Sequence, residues 1–188
     1  MKIVIIDCFD SFTYNLHHYL EEIVDEVQTI PYSQIENTAI AEFDRVVLSP
    51  GPGHTCEYPH ITDILNRFKD SKPILGVCLG HQIIGSYFGA TLANMETVVH
   101  GVSRPTLQTI PNDTLFQGLP ISFESARYHS WAIPLPLLSD NLIATALDNN
   151  LVMAFKHKTY NIRGVQFHPE SILTPYGKTI IYNWVNLC

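Results

Sequence analysis

The sequence predicts an α/β protein in which a mostly parallel central sheet is flanked by helices and extended by an antiparallel part. Three observations lead to this prediction. Segments with strand and helix periodicity alternate over the first half of the chain, short β-like segments fill the second half, and 46% of the 188 residues are hydrophobic. This apolar content is enough for one full core, so we expect a single domain over residues 1–188.

The first half alternates between strand and helix patterns. Asp10 and Ser11 precede the first helical pattern and are expected to cap it, because short polar side chains accept hydrogen bonds from free helix amides. The spacing of apolar residues predicts strands at 2–7, near 24–30, at 45–49 and at 73–77, and helices at about 12–22, about 58–69 and 80–88. This alternation indicates a parallel sheet covered on both faces.

After Thr91 the pattern changes to short β-like segments separated by Pro, Gly and Asn-Asp turns. The expected strands are 102–110, 121–126, 142–147, 152–156 and 162–167, and a last helix is expected at roughly 177–187. We expect these segments to add antiparallel strands to the same sheet and to bring the chain after 167 back to the first half.

Composition and charge exclude several classes of function. The formal net charge of −7 spreads along the chain without clustered Lys and Arg, so nucleic-acid binding is not expected. The chain opens directly on a strand pattern, and no apolar run has the length of a membrane span, which predicts a soluble, cytoplasmic protein without membrane contact. The four cysteines show no paired spacing, which predicts reduced thiols.

Residues 76–80 form a short motif between a predicted strand and a predicted helix. They place Cys78 on a sharp turn of the G-x-S-x-G type, with a thiol in place of the hydroxyl. The glycines at either end leave room for the strand and the helix to cross closely, and the positive end of the helix favours thiolate over thiol. Cys78 is therefore a candidate nucleophile, and the alternative is a small buried hydrophobic residue.

A second polar pair follows the last predicted strand. His168 and Glu170 flank a proline, and on an extended segment their side chains point to the same side. A cysteine nucleophile needs a base for its proton, and the base needs a carboxylate that holds its orientation. We expect His168 and Glu170 to fill these two roles, although an isolated histidine at a strand end is more often structural.

The strand at 45–49 leads into a loop of alternating prolines and glycines, SPGPG at 49–53. This loop lacks the spacing of the common phosphate-binding motifs, and it is either a rigid turn or a source of backbone N–H groups. Because proline has no N–H, the glycine amides are the available donors. We expect the amides of Gly53 and Leu79 to form a two-donor oxyanion hole.

Other histidines and cysteines offer alternative sites. His54, Cys56 and His60 resemble a set of metal ligands, but no fourth partner is evident and no metal site is predicted. His81 competes with His168 as the base, yet its position on the helix after Cys78 should point it away from the thiol.

Gln82 and the segment at 128–131 are candidates for binding a substrate. An amide in the first helical turn after the nucleophile is well placed to hydrogen-bond the amino or carboxylate end of an amino acid. The residues from Tyr128 to Ser130, before Trp131, are either an ordinary turn or part of the same clamp.

Taken together, these motifs resemble those of class I (triad) glutamine amidotransferases, and more narrowly the glutaminase subunits of synthases that use chorismate. The resemblance rests on DSFTYNL at 10–16, SPGPG at 49–53, GVCLGHQ at 76–82, RYHS at 127–130 and GVQFHPES at 164–171, and it covers essentially the whole chain in order. It implies that Cys78 is the nucleophile, His168 the base and Glu170 its orienting acid. It also implies a glutamine site made by Gly51, Pro52, Gly53, Gln82, Ser130 and Trp131.

The resemblance further implies a large partner subunit that binds chorismate and Mg²⁺ and receives ammonia through an internal passage, with no cofactor on this chain. Residues 100–102 and 128–131 favour the anthranilate branch over the aminodeoxychorismate branch. The remaining alternatives are another cysteine hydrolase and a catalytically silent regulatory subunit. The chain departs from the family pattern at Cys8, where Asn is usual, and at 54–59.

Overall fold

The computed structural model describes residues 1–35 and 37–188, with backbone only at 37–38 and 96–98. A nine-stranded mixed sheet has the order β2-β1-β3-β4-β9-β8-β7-β5-β6. The strands are β1 Lys2–Asp7, β2 Glu26–Pro31, β3 Arg45–Leu48, β4 Ile74–Val77, β5 Ala93–Gln108, β6 Ser122–Ala132, β7 Leu142–Asp148, β8 Leu151–His157 and β9 Ile162–Val165. The helices are α1 Thr13–Glu21, α2 Asn37–Ile40, α3 Pro59–Phe68, α4 Leu79–Tyr87 and α5 Gly177–Leu187.

Strands β1, β3 and β4 of the parallel half are buried on both faces, whereas β2 at the end of the sheet is partly exposed. Successive residues of a strand point to opposite faces, so Ile3 and Ile5 of β1 contact one core cluster while Val4 and Ile6 contact the other. Helices α3 and α4 cover the face of Val4, and helices α1 and α5 cover the face of Ile3. This explains why β1, β3 and β4 are continuous apolar runs without polar alternation.

Most element boundaries in the first half agree with the predicted ones, but the predicted cap of α1 is wrong. Phe12 occupies the N-cap position and makes no side-chain capping bond. Asp10 instead accepts a hydrogen bond at 2.8 Å from the Phe12 N–H, in a turn that precedes the helix. An Asp side chain bonds readily to the amide two residues on, and this local turn replaces the cap.

The second half differs more from the prediction. Strand β5 begins at Ala93, well before the expected residue 102, because it continues through irregularities in its pairing with β6, one of them at Gly101 with a φ of 68°. Strand β6 continues to Ala132, so the residues from Tyr128 to Trp131 lie on a strand and are not a turn. Strand β9 pairs in parallel with β4, while β8 pairs with it in the expected antiparallel direction.

Within the described ranges, no helix is both long enough and apolar enough to span a bilayer.

Candidate active site

The candidate site lies at the carboxyl ends of three neighbouring parallel strands. Strand β3 leads into the SPGPG loop, β4 ends one residue before Cys78, and β9 ends shortly before His168. Ligands of open parallel sheets bind outside this edge, where loops from adjacent strands meet. The fold therefore brings together three segments that are distant in sequence.

The turn that carries Cys78 has the strained geometry expected of a nucleophile elbow. Cys78 has a φ of +51°, and its N–H donates to the Val165 carbonyl at 2.8 Å. A Cβ at Gly76 would overlap the backbone of Gly80, and a Cβ at Gly80 would overlap the carbonyl oxygen of Leu48. This confirms the expectation that both glycines allow β4, α4 and β3 to approach closely.

His168 and Glu170 are in contact, but not by the predicted route. Nδ1 of His168 lies 2.6 Å from Oε1 of Glu170, and both residues are buried. The segment is a turn, closed by the Ser171 N–H, which donates to the His168 carbonyl at 3.3 Å. The proline between the two residues bends the chain, so the predicted extended geometry is wrong although the predicted contact is present.

The charges around His168 favour its protonated form. Burial by itself lowers the pKa of His168, but the negative charges of Cys78 and Glu170 and the hydrogen bond to Glu170 outweigh it and hold the pKa well above its usual value. Nε2 is buried, and no described residue hydrogen-bonds to it. Because Nδ1 is held by the carboxylate, Nε2 is the nitrogen left to give and take a proton during a reaction.

His81 occupies a different environment, inside the core. Its ring stacks on Phe155 at 4.5 Å between centroids, and a Cβ on Gly164 of β9 would lie 2.8 Å from its Nδ1. Burial lowers the pKa of His81 to about 3, so the ring is neutral at physiological pH. The alternative base therefore lies on the face of α4 that packs against β8 and β9.

A cavity of about 160 Å³ opens beside Cys78. Its size suits a small metabolite, since pockets for drug-sized ligands measure about 300–1,000 Å³. The residues that line it include Cys78, Leu79 and every predicted substrate-binding residue. They are Gly51, Pro52, Gly53, Cys78, Leu79, Gln82, Tyr128, His129, Ser130 and Trp131.

Gln82 is held more tightly than the sequence suggested. Its Nε2 donates to the Trp131 carbonyl at 2.8 Å and to Oε1 of Gln166 at 3.1 Å. Both amide hydrogens are thus engaged within the protein, which leaves the side-chain oxygen of Gln82 for a ligand.

The segment at 54–57, where the chain departs from the family pattern, forms an ordered turn at the mouth of the cavity. Oε1 of Glu57 accepts from the His54 N–H at 2.6 Å, and Nδ1 of His54 lies 3.2 Å from the Cys56 sulfur. The His54 ring packs edge-on against Trp131, 4.9 Å between centroids. Among the residues that the structure describes, no group of three or more His, Cys, Asp or Glu is arranged to hold a metal ion.

Comparison with known proteins agrees with this geometry. The family model "Glutamine amidotransferase class-I" matches residues 4–187. The chain belongs to this family. It is a class I glutamine amidotransferase in which the matched region includes the elbow, the SPGPG loop and the His168 turn.

The amidotransferase is similar to curated proteins over nearly its whole length. It is 39% identical over 188 residues to anthranilate synthase component 2 of Vibrio parahaemolyticus, with 97% of this chain and 93% of the relative covered. It is 40% identical over 192 residues to the multifunctional tryptophan biosynthesis protein of Pichia angusta, with 99% of this chain but 51% of the relative covered.

Among solved structures, the amidotransferase resembles a protein of Thermoplasma acidophilum described as a candidate component of GMP synthase. The TM-score is 0.89 and the identity 27%, with 100% of this chain and 94% of the other covered. This similarity confirms the predicted α/β fold class.

At the site of this amidotransferase, no role was predicted for Gln166 from the sequence, and Tyr128 was predicted only as part of the segment at 128–131. Tyr128 lines the cavity, and its ring packs against His168 at 4.9 Å between centroids. Gln166 is fully buried, and its Nε2 lies 3.6 Å from the Cys78 sulfur. A polar amide inside an apolar strand end was the available signal for Gln166, whereas nothing local distinguishes Tyr128 from a core aromatic residue.

Proposed function

We propose that this amidotransferase is the glutaminase subunit of anthranilate synthase, hydrolysing glutamine and supplying ammonia to a chorismate-using partner. The observation that carries the proposal is convergence on one cavity. The loops after β3 and β4 and the strand β6 line it together, and the hydrogen-bonded His168–Glu170 pair follows β9, the strand beside β4. The curated relatives that match over nearly the full chain, such as that of Vibrio parahaemolyticus, bear the name anthranilate synthase component 2.

In the proposed reaction, the Cys78 sulfur attacks the side-chain amide carbon of glutamine. The sulfur attacks as a thiolate whose proton is already held at Nε2 of His168, and the negative charge that develops on the amide oxygen is stabilised by the N–H groups of Gly53 and Leu79. His168 then gives its proton to the departing nitrogen, which leaves as ammonia. Water, deprotonated by the same ring, attacks the thioester and releases glutamate.

Glu170 supports this proton transfer without touching the substrate. Its carboxylate accepts the Nδ1 hydrogen of His168 at 2.6 Å, which leaves Nε2 as the nitrogen that faces the chemistry. The carboxylate also stabilises the imidazolium formed in each half-reaction, consistent with the raised pKa of His168.

The cavity provides few charged groups for the ends of glutamine. Burial, together with the nearby Arg127, lowers the pKa of His129 to about 4, so its ring is neutral. We propose that the α-amino and α-carboxylate groups are held by backbone groups of Gly51 and Ser130, by the Ser130 hydroxyl and by the side-chain oxygen of Gln82. Pro52 and Trp131 then shape the walls.

Ammonia is useful only to an acceptor held nearby, so the proposal includes a large chorismate-binding subunit that carries Mg²⁺. The chain corresponds to about half of the Pichia angusta multifunctional protein, which supports a partner that can be a separate chain or a fused domain. No cofactor is proposed on this chain itself. A cytoplasmic location is also proposed, since all four cysteines are free thiols and such thiols persist in reducing compartments.

The second candidate is the glutaminase subunit of aminodeoxychorismate synthase. The test is to combine the purified chain with each type of large subunit, and then to measure glutamate, anthranilate and aminodeoxychorismate from glutamine and chorismate. We expect glutamate release and anthranilate formation. Aminodeoxychorismate as the sole product would favour the second candidate. Peptide hydrolysis without glutaminase activity would favour another cysteine hydrolase, and glutamine binding without turnover would indicate a silent regulatory subunit.

A further inference from the structure

Gln166 lies beside the nucleophile, although no step of the proposed reaction uses it. Strands β4 and β9 pair in parallel with Val77 opposite Val165. Cys78 and Gln166 are the first residues after these two strands, and Gln166 Nε2 lies 3.6 Å from the Cys78 sulfur. Gln166 is fully buried, so its amide must find its hydrogen bonds within the protein.

The hydrogen-bond network determines which way the Gln166 amide points. The Trp131 carbonyl can only accept, so the group of Gln82 that lies 2.8 Å from it must be the NH₂. That NH₂ also donates to Gln166 at 3.1 Å, and the receiving atom must be the Gln166 carbonyl oxygen. The Gln166 NH₂ is therefore turned toward Cys78, and it donates to the sulfur.

We propose that Gln166 is a positioning residue that stabilises the Cys78 thiolate and links it through Gln82 to the cavity wall at Trp131. The inference rests on the proposed function, in which this thiolate is the nucleophile of a glutaminase. A hydrogen bond to an anion is stronger than one to a neutral acceptor, so donation from Gln166 favours thiolate over thiol. The same bond restrains the direction in which the sulfur points.

Gln166 and His168 act on the thiol in different ways. His168 can take and return a proton, whereas a neutral amide cannot change its protonation state in the physiological range. The contribution of Gln166 is consequently to the fraction of thiolate and to the position of the sulfur. It should alter the pH dependence of thiol reactivity even when no glutamine is present.

Two variants separate this role from a purely structural one. Gln166→Glu keeps an oxygen that accepts from Gln82, but at pH 8 it offers no N–H to the sulfur and adds a negative charge. Gln166→Met has a similar length and removes both hydrogen bonds. If Gln166 only holds Gln82, Gln166→Glu should keep wild-type thiol reactivity and Gln166→Met should not. If Gln166 stabilises the thiolate, both variants should lower thiol reactivity.

The measurement is the rate of Cys78 alkylation by iodoacetamide between pH 5 and pH 9, with the modified cysteine mapped by peptide mass. At pH 8 we expect both variants to react about tenfold more slowly than wild type, the size of one hydrogen bond to a charged group. The pH of half-maximal alkylation should rise. In glutaminase assays, Gln166→Glu should lower kcat with KM within about twofold, whereas Gln166→Met should also raise KM because Gln82 loses its acceptor.

Gln108→Glu is the matched control, because Gln108 is a buried amide of β5 that donates to the Pro120 carbonyl at 2.8 Å, outside the cavity lining. It should alkylate at the wild-type rate, and melting temperatures show which variants fold. Wild-type alkylation in either folded Gln166 variant would overturn the inference. Because alkylation requires no glutamine, a wild-type chain that shows no glutaminase activity with either type of large subunit would overturn the proposed function and not this role.

Discussion

Two buried cysteines lie at the carboxyl ends of the parallel strands, and the structure gives them different environments. Cys8 directly follows β1, and Cys78 directly follows β4, with β3 between the two strands. Cys8 is fully buried, and burial raises the pKa of its thiol to about 12. Cys78 is 6% exposed and lines the cavity, and Gln166 Nε2 lies 3.6 Å from its sulfur.

The two thiols thus differ in burial and in neighbouring groups, although residue type and position after a parallel strand are the same. Cys8 supports the site through its backbone, since the Tyr58 hydroxyl lies 3.2 Å from the Cys8 carbonyl and 3.0 Å from the Pro52 carbonyl. A Cβ at Gly51 would lie 2.6 Å from that same Cys8 oxygen. The carbonyl and the Cβ of Cys8 thus pack under the SPGPG loop.

The largest effect is expected from Cys78→Ala. We expect the assembled synthase to lose glutamine-dependent product formation completely, while synthesis from added ammonium salts continues, because the acceptor chemistry resides on the partner. The measurement compares both nitrogen sources with the same complex, and gel filtration confirms assembly. If the intact complex lost both activities, the division of labour between two sites would be wrong.

Glu170→Gln should have the next largest effect. The neutral amide orients the ring less well and stabilises the imidazolium less, so kcat should fall by about 10²- to 10⁴-fold with the fold retained. Because the carboxylate raises the pKa of His168, its removal lowers that pKa, and the imidazolium is lost at a lower pH. The alkaline limb of the pH–rate profile should therefore move to lower pH. A wild-type rate would reduce Glu170 to a structural residue.

A glutamine-shaped electrophile should separate the cysteines directly. The reagent carries the α-amino and α-carboxylate groups of glutamine, and we expect it to label Cys78 at least about tenfold faster than Cys8, whose thiol stays protonated. Cys56 is exposed and Cys188 is partly exposed, so both can react by accessibility alone. Excess glutamine should protect only Cys78. Peptide mass mapping after brief labelling reads this, and unprotected modification of Cys56 or Cys188 ahead of Cys78 would contradict the assigned glutamine site.

The smallest effect is expected from Cys8→Ala. The substitution removes one buried sulfur and leaves the carbonyl under Gly51 in place, so the free energy of unfolding should fall by only about 1 kcal/mol. Glutaminase kcat and KM should stay at wild-type values, as measured beside a denaturant titration. A large rise in KM would show that the Cys8 side chain, and not only its backbone, holds the SPGPG loop.

Local patterns in the sequence were sufficient for most strands and helices of the parallel half and for Cys78, His168 and Glu170 as candidates, whereas the glutamine-binding residues came from the family resemblance. Apolar periodicity locates buried strands directly, and the glycines at 76 and 80 mark a turn where two backbones nearly touch. The antiparallel half was harder, because the irregular pairing of β5 with β6 lets strands continue through residues that locally resemble turns. The predicted cap of α1 was wrong because an Asp side chain can accept a hydrogen bond either in a helix cap or in a turn, and Asp10 does so in a turn.

The sequence by itself determined the α/β class, the elbow at Cys78 and the pairing of His168 with Glu170, because each depends on residues close together in the chain. Only the tertiary structure decided that Gln166 faces the sulfur, since that contact joins residues 88 positions apart through the register of β4 and β9. It also decided how far burial raises the pKa of the Cys8 thiol, because burial is a property of the packed core. Contacts between distant strands depend on sheet order and register, which local periodicity does not encode.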